Sequence, residues 1–343
     1  MDRTTYAIDI AKHVMQVHWV EVDTGEIKRR RLSREKLLPF FAEVQPARVV
    51  MEACGGAHHW ARCLSGLRHR VELLPPRQVR AFVRSDKDDA ADARAIWLAS
   101  QHSDIRRAPI KSCEQQAVLS LHRARQHWKD VRTATINGLR GLLYEFGVVL
   151  PKGRQAALKA LAQRRAEVDA MLPAPMCRLI DGQLAMLQQT SGCMEQLEAE
   201  IGATSPKTAV KLRQVPGIGP LGASGLAAML GDGSAWRSGR EFSATLGIVP
   251  KHTGTGGKTR IGHLSKRGDP YLRTLLMHGA RSVLNHTKQK PLWLEQLMLR
   301  RPFNVVVAAL ANKMARVAWA LVAHGRDYNP NWLSVAPANT AVR

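Results

Sequence analysis

The sequence predicts a mixed α/β amino-terminal region, a long helical stretch and a basic, mostly helical carboxyl-terminal region. Short apolar runs alternate with helical patterns over residues 1–104. From about residue 112, glycines and β-branched residues thin out and apolar residues recur at helical spacing. Between residues 207 and 316 there are 18 Lys or Arg against 4 Asp or Glu. The predicted regions are therefore 1–104, 105–206 and 207–330, followed by a tail over 331–343.

The amino-terminal elements occur in an order that favours one type of sheet. Three strands come first, the initial two as a hairpin, and two short apolar runs typical of buried strands then alternate with helices. This is the element order of an RNase H-like mixed sheet, although many α/β folds share it. The strands are predicted at residues 6–10, 14–22, 26–32, 48–51 and 71–74, and the helices at 33–43, 57–67 and 89–101.

The middle region predicts long helices. One helix is expected from about residue 112, and one or two more over residues 158–201 with an interruption around Pro173 and Pro175. A helical hairpin or coiled coil used for spacing and dimerisation is the expected structure.

The charge of the chain indicates a polyanionic partner. Its 343 residues carry 51 Lys and Arg against 28 Asp and Glu, a formal net charge of +23. Nucleic acid is the first expectation and an anionic membrane the second. The apolar stretches are short and interrupted, so no membrane span is expected, and no signal-peptide core is expected at the amino terminus. The five cysteines form no CxxC pair, which favours reduced thiols in a cytoplasmic protein.

Four acidic residues form the first candidate site. Asp9 and Glu52 end apolar runs that are predicted strands, and Asp89 and Asp92 open a predicted helix on one of its faces. Carboxylate oxygens are the ligands that Mg²⁺ prefers, and two such ions can activate an attacking oxygen and stabilise a leaving one. The alternative is four surface carboxylates or helix caps. Spacing alone does not exclude Asp86 and Asp88, the acidic neighbours of Asp89.

A second group of residues could bind zinc. Cys54, His58, His59 and Cys63 lie within ten residues, and His59 and Cys63 are one helical turn apart. The spacing matches no common zinc finger, so this hypothesis is the weaker of the two.

Two glycine-containing segments of the basic region are candidates for binding nucleic acid. The run from Val215 to Pro220 has the shape of a helix-hairpin-helix turn, in which Gly217 and Gly219 would let backbone N–H groups approach a phosphate. Further on, Thr255 stands between glycines. Its hydroxyl could attack phosphorus, with cations stabilising the developing charge, or the segment could only bind phosphate. The candidate cations and polar contacts to nucleic acid are Lys251, Lys258, Arg260, Lys266, Arg267 and Arg273.

Taken together, these motifs resemble one family along nearly the whole chain and in the same order. The family is the RNA-guided DEDD transposases of bacterial insertion sequences, family one-ten, and more closely its eleven-eleven branch. The resemblance rests on residues 8–12, 51–62, 87–93, 215–219, 256–258, 265–269 and 271–273.

The resemblance implies a RuvC-like DEDD catalytic domain, a coiled-coil middle and a carboxyl-terminal transposase domain. It implies that Asp9, Glu52, Asp89 and Asp92 bind Mg²⁺, with Mn²⁺ as the alternative ion. The implied partners are donor DNA, target DNA and a structured non-coding guide RNA, so that base pairing supplies sequence choice. The protein is expected to act as a dimer or tetramer of identical chains, without a membrane, in the bacterial cytoplasm at the nucleoid.

The chain departs from the family at one position. Members often carry Ser five residues after the Pro that here is Pro250, and this chain has Thr255 there and Gly254 before it. Thr255 is the predicted nucleophile and Thr253 the reserve. The alternatives are a structure-selective, Holliday-junction-type nuclease that uses water, and a non-catalytic nucleic-acid-binding scaffold.

Overall fold

A five-stranded mixed sheet organises the first of the two units into which the chain divides, Met1–Glu114 and Gln115–Arg343. The computed structural model describes residues 4–83 and 89–330, apart from the side chains of residues 89 and 90. The five strands are β1 (Thr5–Ile10), β2 (Val14–Val20), β3 (Ile27–Ser33), β4 (Arg48–Glu52) and β5 (Arg70–Leu74).

The strands lie in the order β3-β2-β1-β4-β5. β1, β2 and β3 pair antiparallel, while β1, β4 and β5 pair parallel. The parallel register of β1 and β4 sets Ile8 opposite Met51. This mixed sheet, with a mostly helical remainder, is consistent with the predicted RNase H-like domain.

Helices cover both faces of this sheet. Because strand residues alternate between faces, Ile8 and Met51 lie in one apolar cluster, and Ala7 and Val50 lie in the other. The first cluster contains residues of α1 and α2, and the second contains residues of α3 and α4. The helices of this unit are α1 (Leu37–Glu43), α2 (Ala57–Gly66), α3 (Pro76–Val79) and α4 (Asp89–Ser100), with 3₁₀ turns at Arg34–Lys36 and Arg80–Phe82.

The second unit is mostly helical. Its first four helices, of which α5 begins just before the unit boundary, are α5 (Cys113–Glu145), α6 (Arg154–Gln163), α7 (Arg165–Met171) and α8 (Ala174–Thr204). After them come α9 (Thr208–Leu212), α10 (Pro220–Leu230), α11 (Gly239–Thr245), α12 (Pro270–His286), α13 (Leu292–Arg300) and α14 (Phe303–Ala323). A two-stranded antiparallel sheet of β6 (Pro250–Thr255) and β7 (Lys258–Leu264) separates α11 from α12.

The long helix predicted from about residue 112 is confirmed as α5, and the interruption near Pro173 is confirmed at the start of α8. Pro173 is the residue before the first turn of α8, where a missing N–H costs nothing. Two apolar clusters fill this unit, one among α5–α8 and the other among α9–α14. A coiled coil in the middle region, and the boundaries at residues 104, 206 and 330, stay predictions.

Helix α14 corrects one expectation from the sequence. By length and composition, Phe303–Ala323 is apolar enough to cross a membrane, so the prediction that no apolar stretch reaches this length is wrong. Eight of its residues, among them Val306, Leu310 and Met314, lie buried in the core of the second unit. A buried core helix passes the same test as a membrane span, so this helix is weak evidence for a membrane location.

Candidate functional site

Asp9 and Glu52 lie on neighbouring parallel strands of the first unit. The last parallel pair of β1 and β4 is Ile8–Met51, and the two acidic residues follow it directly on their strands. Because side chains alternate, Asp9 shares the face of Ala7 and Glu52 shares the face of Val50. The sheet therefore presents both carboxylates on one face, near the carboxyl ends of β1 and β4.

Helix α4 covers this same face and carries the third acidic residue. Ala95, Ile96 and Ala99 of α4 pack in the apolar cluster that contains Ala7 and Val50. Asp92 lies three and four residues before Ala95 and Ile96, which places it on the same side of the helix. The half-buried Asp92 therefore belongs to the same face of the sheet as the two strand carboxylates.

The electrostatics of these residues show that their charges influence one another. Burial and, after it, the negative charge of Asp92 raise the pKa of Glu52. Burial, followed by the charges of Glu52 and Asp9, raises the pKa of the Cys54 thiol. Like charges held together at partly buried positions favour the binding of a cation, so the donor set fits a hard divalent metal ion chemically.

The described side chains alone do not form a complete set of metal ligands. Over residues 4–83 and 91–330, no three His, Cys, Asp or Glu side chains converge to form a metal-binding group. The side chain of Asp89, and the competing residues Asp86 and Asp88, lie outside the described parts of the chain. A metal bound here would therefore need Asp89 or a rotation of the described carboxylates.

The zinc hypothesis finds no support in the described residues. His59 Nε2 and Cys63 Sγ are 3.8 Å apart, but no third ligand completes a group within the described ranges. The neighbouring His58 is engaged elsewhere, because its Nδ1 accepts a hydrogen bond from the Lys111 N–H at 3.3 Å.

Thr255 lies at the tip of the β6–β7 hairpin in the second unit. It pairs with Lys258 across a two-residue turn of Gly256 and Gly257, whose φ angles are +56° and +76°. Positive φ at both positions is typical of a type I′ turn, which glycine adopts without strain. This glycine-containing segment is therefore a β-hairpin within the region that the sequence predicts to be mostly helical.

Alternate residues of the β6–β7 hairpin lie on opposite faces of the two-stranded sheet. Thr253 pairs with Arg260 and Thr255 with Lys258, two residues further along each strand, so these four residues share one face. Every residue of β6 and nearly every residue of β7 is exposed. The candidate hydroxyls and two of the candidate cations are thus presented together to solvent. Lys251 lies at an irregularity in the register between Pro250 and His252.

The two glycines of the predicted helix-hairpin-helix turn have different surroundings. Gly217, at φ +89°, faces Gly279 of α12, and a Cβ on Gly217 would lie 2.8 Å from the Gly279 carbonyl oxygen. Gly219 is exposed, precedes α10 directly, and has open space where a Cβ would be. The structure therefore gives Gly217 a packing role, while Gly219 remains a candidate for contact with phosphate.

We expect Gly279→Ala to destabilise the second unit by about 2–3 kcal/mol, because the new methyl group would overlap the Gly217 carbonyl oxygen. Urea unfolding of the purified chain measures this change. Gly182→Ala on α8 is the matched control: a Cβ there meets nothing within 4 Å, so it should stabilise the helix slightly. Equal effects of the two substitutions would contradict this account of Gly279.

The remaining predicted nucleic-acid contacts fall into two groups. Lys266 and Arg267 are exposed, and Lys266 has a φ of +52°, in the left-handed region. Arg273 is half-buried, and its Nη1 donates hydrogen bonds to the carbonyl oxygens of Leu246 at 3.0 Å and Gly268 at 3.4 Å. These bonds tie α12 to the segment before it, so Arg273 has a structural role irrespective of any contact with nucleic acid.

Two cations that were not predicted as site residues lie on the face of the carboxylates. Arg29 and Arg31 on β3 are exposed and alternate with Lys28 and Arg30 on the opposite face. The sequence predicts the run Lys28–Arg31 only as part of a strand. Because side chains alternate along a strand, this alternation is the signal that assigns its four cations to two faces.

A mixed sheet with acidic residues at the ends of its central parallel strands is typical of RNase H-like enzymes that act on phosphodiesters. Comparison with known proteins agrees with this class. Residues 6–147 match a family model of DEDD transposases of the IS110 type, described as "Transposase". Residues 209–293 match a second model, described as "Transposase IS116/IS110/IS902 family".

Individual relatives match over almost their whole length. A probable family 20 transposase of Pseudomonas aeruginosa is 45% identical over 337 residues, which are 96% of this chain and 100% of the relative. The transposase for insertion sequence element IS1328 of Yersinia enterocolitica is 37% identical, over 95% of this chain and 98% of its own. The transposase for insertion sequence element IS1111A of Coxiella burnetii is 35% identical, over 94% of this chain and 90% of its own length. The chain belongs to the IS116/IS110/IS902 family of transposases.

Proposed function

We propose that this chain is a transposase of an insertion sequence that cuts and rejoins donor and target DNA by metal-dependent phosphoryl transfer. Membership of the family implies DNA strand transfer. The observation that carries the proposal further is the common face of Asp9, Glu52 and Asp92, where burial and the charge of Asp92 raise the pKa of Glu52. This is the arrangement that a divalent cation would stabilise.

Asp9, Glu52, Asp89 and Asp92 are the proposed metal ligands, with Mg²⁺ the first candidate ion and Mn²⁺ the second. When bound, such ions activate an attacking oxygen and stabilise a leaving one at a phosphodiester. The residues of the chain supply the rest. The two strands fix the positions of Asp9 and Glu52 because the sheet is rigid, and α4 holds Asp92 over the same face.

Thr255 is the proposed nucleophile. Its Oγ would form a bond to the scissile phosphorus and release a DNA hydroxyl, and a hydroxyl from the new DNA partner would later displace it. Lys258 and Arg260, on the same face of the hairpin, would stabilise the charge that develops on the phosphoryl oxygens. The energy of the phosphodiester would be kept in the protein–DNA bond, so strand exchange would need no nucleotide cofactor.

The resemblance to RNA-guided family members supports a structured non-coding RNA as the source of sequence choice. Base pairing would then select the DNA, while the protein contacts backbone and shape. The exposed cations of the hairpin, together with Lys266 and Arg267, suit contacts of that kind. A homo-oligomer, dimer or tetramer, is part of the same proposal.

A reconstituted reaction tests this function. The purified chain is mixed with donor DNA, target DNA, a transcript of the non-coding DNA flanking its gene, and MgCl₂, and the products are separated under denaturing conditions. We expect a protein–DNA adduct that Thr255→Ala abolishes and Thr255→Ser retains. Thr253→Ala, which removes the other hydroxyl from the same face, is the matched control and should retain the adduct.

Four outcomes would contradict parts of the proposal. An adduct that survives Thr255→Ala but not Thr253→Ala would move the nucleophile to Thr253. Cleavage without any adduct would favour the nuclease that uses water. Full activity without the transcript would exclude RNA guidance, and binding without any cleavage would favour a scaffold.

A further inference from the structure

The edge strand β3 presents cations on both faces of the sheet of the first unit. Among the residues that the structure describes, β3 pairs with β2 alone, so no described strand lies along its second edge. Its register sets Met15 opposite Leu32 and Val17 opposite Arg30 on one face, and Gln16 opposite Arg31 and His18 opposite Arg29 on the other.

The face of Arg29 and Arg31 is the face of the carboxylates. On β1, Asp9 lies opposite Gln16, so Asp9, Gln16 and Arg31 form one row across three strands. Neighbouring strands are about 4.8 Å apart, which places the backbone of Arg31 roughly 10 Å from that of Asp9. An extended arginine side chain can cover much of this distance. Arg31 is therefore within reach of the same polyanion as the carboxylate site.

Helix α4 carries a third cation, whose charge acts on the neighbouring row of Ala7, His18 and Arg29. Arg94, two residues after Asp92, is exposed on α4. The charges of Arg29 and Arg94 both act on the buried His18: burial first, and then these two cations, lower its pKa to about 4. A strand cation and a helix cation thus flank the same buried side chain.

The cations on the other face of β3 have partners in the protein. The Arg30 guanidinium lies over the Phe40 ring, 5.0 Å from its centre. Lys28 forms ion pairs with Glu21 at 3.6 Å and Glu26 at 3.7 Å. In the described parts of the chain, neither Arg29 nor Arg31 has a carboxylate partner.

Protection of an open sheet edge is the ordinary reason for charges on an edge strand. Lys28 and Arg30 already provide such charges on β3. Edge protection does not distinguish the faces of the strand, so it does not explain why the unpaired arginines lie on the face of the carboxylates.

We propose that Arg29 and Arg31 of β3, with Arg94 of α4, form a phosphate-binding surface for the DNA strand that enters the carboxylate site. The position of this strand rests on the proposed function, because it is defined by a scissile phosphate at Asp9, Glu52 and Asp92. The surface contacts phosphates a few nucleotides from the scissile one and reads no sequence. Guanidinium groups suit this task because their planar donors match phosphate oxygens.

A pair of double variants on one strand tests the proposal. Arg29→Gln with Arg31→Gln removes two charges from the carboxylate face, and Lys28→Gln with Arg30→Gln removes two from the opposite face. Binding of the full chain to a duplex carrying one end of the element is measured in EDTA at several NaCl concentrations. For the first pair we expect about tenfold weaker binding and a salt slope smaller by about 1.8, since each duplex phosphate contact contributes about 0.9. The second pair should change affinity less than twofold.

Equal losses in the two double variants, or no loss in the first, would overturn the proposal. Weaker binding to a structured RNA with unchanged binding to the duplex would overturn the choice of DNA. Thermal melting checks that both double variants fold. Because EDTA removes divalent metals, this binding assay does not depend on the metal chemistry. If the Asp9→Asn variant recombined DNA normally, the proposed function would be wrong, but the effect of the arginines on DNA binding would be unaffected.

Discussion

Replacing Asp9 by Asn is expected to lower the rate of DNA strand cleavage by at least about a hundredfold, because the loss of one of the proposed metal ligands would remove several kcal/mol of transition-state stabilisation. Glu52→Gln and Asp92→Asn should have effects of the same order. Cleavage of labelled donor DNA in MgCl₂ measures the rates. Glu21→Gln removes a carboxylate from the same unit, outside the carboxylate face, and is the matched control with an expected change below twofold.

The same substitutions should act differently on stability. The charge of Asp92 contributes to the raised pKa of Glu52, so neutralising Asp92 relieves repulsion in the folded chain. We therefore expect Asp92→Asn to melt at a slightly higher temperature than the parent in EDTA. A melting temperature below that of the parent would contradict this relief of repulsion between Asp92 and Glu52.

Glu72→Gln is expected to destabilise the first unit by about 3 kcal/mol, because it leaves the partly buried guanidinium groups of Arg48 and Arg107 without their counter-charge. The Glu72 side chain is 10% exposed and accepts hydrogen bonds from Arg48 at 2.9 Å and Arg107 at 2.7 Å. Both arginines also donate to the carbonyl oxygen of Ser100, at the end of α4. The cluster therefore anchors the helix that carries Asp92, and its loss should also reduce cleavage. Urea unfolding measures the change in the free energy of unfolding.

This contribution depends on pH in a defined direction. Burial alone would raise the pKa of Glu72, but the hydrogen bonds and charges of Arg48 and Arg107 outweigh it and lower the pKa below the ordinary 4.5. The stabilisation is therefore fully present above the pKa of the unfolded chain and is lost as the pH falls through the lower pKa of the folded chain. The control is Glu26→Gln, which breaks an exposed pair and should cost less than about 0.5 kcal/mol. If the two substitutions had equal effects, the burial of Glu72 would not matter to its contribution.

The strands of the first unit could be predicted from the sequence because each has its own local signal. The runs 48–51 and 71–74 are short and apolar, and the structure confirms them as β4 and β5. Their parallel pairing beside β1 could not be predicted from such runs, because pairing depends on contacts between distant segments. That pairing is what brings Asp9 and Glu52 to one face of the sheet, near the carboxyl ends of β1 and β4.

The hairpin of the second unit was missed for a physical reason. Strand prediction relies on apolar residues at every second position, and β6 is exposed along its whole length. The Gly256-Gly257 pair was the available signal, since two glycines between extended segments favour a type I′ turn. The packing of Gly217 against Gly279 had no local signal, because the two glycines are far apart in sequence.

The exposure of the β6–β7 hairpin has a consequence for how a reaction can be kept under control. A two-stranded ribbon whose residues are nearly all exposed has little free energy of its own to hold one shape in water. We expect the tip that carries Thr255 to become ordered only when a nucleic-acid surface lies against the ribbon, with part of the binding energy spent on that ordering. A reactive hydroxyl at this position would then be inactive in the free protein and would become active only on assembled DNA. Ordering of this one turn would therefore prevent cleavage before the DNA is in place.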